Sequence, residues 1–146
     1  MKEILTILLR LAGAGLILLA LVHIPIARQL KWREEGARMR PANASIFHVH
    51  AFFICVVLVM MGLPCVVDPR VFLETSRAGS WLAWSFAGFW LLRLYVQWFV
   101  YRADLWRGKR METALHWWFT FMWIFLTTLF TACGSWQAGW LRQRPE

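Results

Sequence analysis

Four apolar stretches, Ile4–Ala27, Ala44–Val67, Ser80–Tyr101 and Ala114–Cys133, alternate along the chain with short polar, mostly basic connections. Each stretch is near the ~20 residues a helix needs to cross the hydrocarbon core of a bilayer. Lipid offers the backbone no water to bond, so each stretch is expected to be a helix. Short connections make consecutive helices antiparallel. The pattern predicts an all-α integral membrane protein, an antiparallel up-and-down four-helix transmembrane bundle, with residues 1–146 forming a single transmembrane domain.

The polar positions inside the stretches recur at helical spacing. Arg93, Gln97, Tyr101 and Asp104 follow one another at intervals that keep them on one face of the third span. Glu112, His116, Thr120, Trp123, Thr127 and Thr131 share a stripe on the fourth. Two such stripes are expected to face each other rather than lipid. On the first span Ala12, Gly13, Leu16, Ala20 and His23 fall on one side, where small residues let a neighbouring helix or a flat cofactor approach closely.

Composition narrows the class. With 60% hydrophobic residues in a chain of 146, no material is left for a separate soluble domain. The first stretch is longer than the apolar core of a signal peptide and has no Ala-x-Ala cleavage pattern before Pro25, so it is read as retained. The formal charge of +8 is distributed unevenly. Nine basic residues (Arg28, Lys31, Arg33, Arg38, Arg40, Arg102, Arg107, Lys109, Arg110) fall on one side and five (Lys2, Arg70, Arg77, Arg142, Arg144) on the other. The positive-inside bias then puts the connections 28–43 and 102–113 in the cytoplasm and both termini outside, in a bacterial inner membrane. Anionic headgroups are the expected partner of this charge. No nucleic-acid-binding motif accompanies it.

Eleven tryptophans divide into two groups. Trp32, Trp81, Trp106, Trp136 and Trp140 sit at expected interfaces as anchors. Trp84, Trp90, Trp98, Trp117, Trp118 and Trp123 lie within spans, where bulk packing is the expected role. Gln29–Glu35 has the composition of a basic surface helix, which Gly36 and Pro41 would end. Cys65 and Cys133 both fall at the outer ends of spans; without a Cys-x-x-Cys pair, unpaired buried thiols are expected rather than a disulfide.

The chemistry is concentrated in the histidines. His23 ends the first span, His48 and His50 begin the second, and His116 begins the fourth. In the expected topology all four lie on the cytoplasmic side, about 5 to 10 Å inside the apolar boundary. His48 and His50 point about 200° apart, so one of them is expected to face the centre. A single histidine there would read as an interfacial hydrogen-bonding group, but several at one depth point to a cofactor. Neutral imidazole ligates haem iron and non-haem transition metals.

The sequence therefore predicts a membrane-embedded redox protein holding haem b or a non-haem metal near the cytoplasmic face and acting on a quinone or lipid. The candidate cofactor-binding residues are His23, His48, His50, His116 and Arg93, with Glu112 completing a non-haem site. Gln97, Tyr101, Asp104 and Thr120 stand behind them. Arg93 lies ~12 Å inside its span and needs a partner; Glu112, Asp104 or an anionic ligand are the candidates. The competing reading is a non-catalytic accessory subunit of a membrane complex, or a scaffold that binds anionic lipid. Four spans without broken helices or a repeat give no alternating-access machine.

Overall fold

The computed structural model of the protein describes residues 1–29, 32–102, 104 and 106–141. Lys31, Arg142 and Arg144 of the charge count, and Leu30 of the expected surface helix, lie outside the described residues. The described residues are helical apart from short connections: α1 (Lys2–Gln29), α2 (Trp32–Ala37), α3 (Pro41–Val67), α4 (Arg77–Tyr95) and α5 (Arg110–Gln137). Three of them are long and apolar enough to cross a membrane, over Lys2–Arg28, Pro41–Val67 and Arg110–Gln137. The third expected span is instead α4, 19 residues long, continued by a π-helical turn over Val96–Val100.

The observed ends follow from local chemistry. α3 begins at Pro41, three residues before the apolar stretch, because a proline in the first turn has no amide hydrogen to leave unbonded. Pro41 thus opens a helix where it was expected to close one. Ser76 caps α4, its hydroxyl accepting from the Gly79 amide at 3.0 Å. α1 and α3 run through Pro25 and Pro64; each proline forgoes one backbone bond, a loss that apolar helices tolerate when neighbouring groups adjust.

The chain divides into two compact units, one of Ile7–Pro69 and one of Met1–Thr6 with Arg70–Glu146. In the first, α1 and α3 are antiparallel and meet backbone to backbone. A Cβ on Gly13 would come within 2.6 Å of the Gly62 carbonyl oxygen, and one on Gly62 within 2.7 Å of the Gly13 carbonyl oxygen. Only glycine at both positions permits this approach.

In the second unit α4 and α5 are antiparallel and packed through aromatic rings. Phe86 and Phe130 meet edge to face at 5.0 Å, with the buried Phe72 against both. Trp90 and Trp123 stack at 4.9 Å. Gly134 makes room for the Trp84 ring, from which a Cβ would be 2.7 Å away. Below this core, Gln137 fastens the 70–76 connection. Its Oε1 accepts from the Ser76 amide at 3.2 Å, and its Nε2 donates to the Val71 carbonyl at 3.1 Å. The Trp136 indole donates to Leu73 O at 3.1 Å.

Outward faces are apolar in both units. Leu11, Leu18, Phe52, Met60, Leu92 and Phe121 are each at least 60% exposed. Contiguous apolar surface of this kind is a liability in water and is what a hydrocarbon solvent requires. Cys55, Cys65 and Cys133 are not joined in disulfides, and the Cys65 thiol donates to the Met61 carbonyl at 3.3 Å.

Candidate functional site

The candidate residues fall into two separate settings, one in each unit. Between α1 and α3 lies a groove of about 540 Å³. Its walls are apolar, from Ala20, Ile24, Ala51 and Val56 among others, and two imidazoles, His23 and His48, reach it. Away from the Gly13–Gly62 contact the groove is lined in part by the short side chains Ala20, Ala27 and Ala51.

His23 is held by its own helix. Its Nδ1 lies 2.7 Å from the Leu19 carbonyl oxygen. A carbonyl only accepts, so Nδ1 carries the proton and the Nε2 lone pair is left to accept a hydrogen or bind a metal. His50 is held the same way, Nδ1 to Ile46 O at 2.8 Å, but it does not line the groove. Helical spacing separates it from His48. Gly36 of α2 accommodates the His48 ring, whose Nε2 would be 3.0 Å from a Cβ at that position.

His116 sits in a different network. Arg93 donates from one guanidinium nitrogen to Gln97 Oε1 at 3.2 Å, and Gln97 Nε2 lies 3.0 Å from His116 Nδ1. A guanidinium only donates, which fixes the amide with its oxygen toward Arg93 and its nitrogen toward His116. Nδ1 therefore accepts, and the neutral ring carries its proton at Nε2. His116 presents a donor where His23 presents a lone pair. The Gln97 amide also donates to the His116 carbonyl at 3.3 Å, which accepts the Thr120 hydroxyl at 2.7 Å as well. Gln97 and Thr120 are both buried, 4% and 1% exposed, so these bonds replace water that has no access.

The π-helical turn positions this network. It widens the helix at Gln97, with the Tyr101 amide bonded back to the Val96 carbonyl at 3.2 Å. Tyr101 then lies under Arg93, whose guanidinium carbon is 5.4 Å from the Tyr101 ring centre and 5.0 Å from that of Trp123. Its other terminal nitrogen reaches Tyr101 Oη at 3.5 Å. The polar faces of α4 and α5 thus meet through Gln97 and His116.

Two expected partners of Arg93 are elsewhere. Asp104 is paired with Arg102 at 3.1 Å, two residues away in the same connection. Glu112 is exposed in the first turn of α5, where a carboxylate is favoured by the helix dipole. Within neither unit do three or more His, Cys, Asp and Glu among the described residues gather as a metal-ligand group.

Trp106 is the residue whose place the sequence concealed. Expected as an interfacial anchor, it stacks on His116 with ring centres 4.3 Å apart and planes inclined by 11°. It stands in the connection before α5, where no helical period links it to His116. Its one local signal is the Thr113 hydroxyl, which donates to the Trp106 carbonyl at 2.6 Å and ties that connection to α5.

The chain matches no protein-family model, no curated protein and no solved structure.

Proposed function

We propose that the protein is an integral membrane protein, its connections 28–43 and 102–113 cytoplasmic, that binds an apolar amphiphile in the α1/α3 groove. The observation that carries this reading is the groove itself, about 540 Å³ of apolar wall with imidazoles at His23 and His48. That volume is in the ordinary range for small-molecule sites, about 300 to 1,000 Å³. The His23 Nε2 lone pair suits a ligand with a hydroxyl to donate, so a quinol or a hydroxyl-bearing lipid is the best match. The apolar remainder of such a ligand would lie along Ala20, Ala51 and Val56.

A second reading is favoured by one feature of His23. An imidazole whose Nδ1–H is bonded to a backbone carbonyl has the arrangement by which proteins orient a ligating Nε2. A haem b in the groove with His23 as an axial ligand would make the protein a redox carrier.

Gentle purification from native membranes, followed by mass spectrometry of the extracted small molecules and a visible spectrum, tests both. The expected result is a quinol or hydroxyl lipid in about equimolar amount, lost when Ala51→Trp fills the groove. A Soret band that His23→Ala abolishes would establish the haem reading instead. Unchanged small-molecule content in Ala51→Trp, with no chromophore in the parent protein, would overturn the groove as a binding site.

A further inference from the structure

Among the described residues Arg93 is a half-buried cation without an anion. Among the described residues no carboxylate pairs with it, Asp104 being engaged by Arg102 at 3.1 Å. Its bonds run to Gln97 Oε1 at 3.2 Å and Tyr101 Oη at 3.5 Å, both neutral. The Trp123 and Tyr101 ring faces offset part of its charge. Around it the helix is apolar, with Trp90 and Leu94 buried on either side in sequence.

The guanidinium is also oriented rather than mobile. Gln97, itself fixed by His116, holds one terminal nitrogen, and the two rings hold the plane. A guanidinium has five N–H donors in a fork that matches a carboxylate or phosphate. Two are used by the protein. Tyr101 Oη accepts from Arg93 and so keeps its own hydrogen to give to an oxyanion. Fork and hydroxyl together form a donor set with no internal acceptor of matching charge.

We propose that Arg93 and Tyr101 bind the phosphate of an anionic lipid headgroup. A phosphate oxyanion supplies the missing charge, and the lipid's chains would run along Trp98 and Trp117, which are 52% and 49% exposed. Arg102, Arg107, Lys109 and Arg110 follow on the same connection and concentrate anionic lipid near it. Gln97 acts as a positioning residue. The site belongs to α4 and its neighbours and stands independently of the α1/α3 groove.

The test uses the full chain in phosphatidylcholine nanodiscs titrated with phosphatidylglycerol, read by intrinsic tryptophan fluorescence, with native mass spectrometry to count retained lipid. Saturable binding of one phosphatidylglycerol is expected. Arg93→Gln should weaken it about tenfold to a hundredfold, as for loss of a charge-assisted bond. Tyr101→Phe keeps the ring and removes only the hydroxyl, so a loss of about threefold to tenfold is expected, a readout that survives if Arg93→Gln does not fold. The Arg107→Gln/Lys109→Gln double variant should reduce the salt dependence and leave the one-lipid stoichiometry. Phosphatidylglycerol binding unchanged in both Arg93→Gln and Tyr101→Phe would overturn the proposal. Inorganic phosphate that displaces the lipid at equal concentration would overturn the lipid assignment in favour of a soluble oxyanion.

Discussion

The α1/α3 pair and the α4/α5 pair solve the same problem by different means. In the first, two glycines bring backbones into contact, and the surface left over becomes an apolar groove. In the second, rings fill the space between helices, the buried Gln97 bridges it, and the buried Gln137 ties α5 to the 70–76 connection. The difference shows in the histidines. Where the helices meet through glycine, the imidazoles of His23 and His50 bond only their own helix and keep a lone pair. Where a glutamine crosses between helices, the imidazole of His116 is consumed as an acceptor and its remaining nitrogen becomes a donor.

The two glutamines also differ from each other. Gln137 joins backbone groups of the 70–76 connection and has no charged neighbour in its bonds. Gln97 joins a guanidinium to an imidazole. The first arrangement is purely a fastening; the second passes an orientation from one titratable group to another.

The sharpest way to break the contrast is at the glycine contact. Gly62→Leu should destabilise the α1/α3 pair by about 1 to 3 kcal/mol or more, since neither backbone can yield, and should empty the groove. Gly15→Leu, at a position with nothing within 4 Å, should stay within about 0.5 kcal/mol in the same denaturant titration in detergent. Equal effects of the two would mean that α1 and α3 are not held at Gly13 and Gly62.

The glutamines come next. Gln97→Leu and Gln137→Leu should each cost about 1 to 3 kcal/mol, because each strands buried partners. They should differ in spectroscopy. Only Gln97→Leu should release His116 from the Nε2–H tautomer, visible in the imidazole nitrogen chemical shifts. Only Gln137→Leu should speed hydrogen exchange at the Ser76 amide. A His116 tautomer unchanged by Gln97→Leu would mean that Gln97 does not set the imidazole's proton.

The smallest effect is at Thr128, whose hydroxyl donates to the Ile124 carbonyl at 2.8 Å on an exposed part of α5. Thr128→Val should change stability by less than about 0.5 kcal/mol in thermal unfolding, since the bond is local and the carbonyl is already in the helix ladder. Trp106→Ala, by contrast, should expose the His116 ring and accelerate its modification by diethyl pyrocarbonate.

The sequence by itself determined which long segments are helical and which residues share a face; of the four spans it led one to expect, three are helices long and apolar enough to cross a membrane. Those are properties of one helix at a time, set by apolar content and by 3.6-residue spacing. Thus the stripe of Ala12, Gly13, Leu16, Ala20 and His23 was legible, as was the separation of His48 from His50. Helix ends were less so, because Pro41 and the π-helical turn at Val96–Val100 each act over one turn or so, too short a stretch for a helical period to register. Only the tertiary structure decided that Gly62 is the partner of Gly13, that Gln97 rather than a carboxylate stands between Arg93 and His116, and that Trp106 covers the imidazole. A contact between two helices depends on their relative shift and rotation, and on the path of the connection that joins them. A periodic pattern along one chain fixes none of these, so the side-chain types were readable in advance and their partners were not.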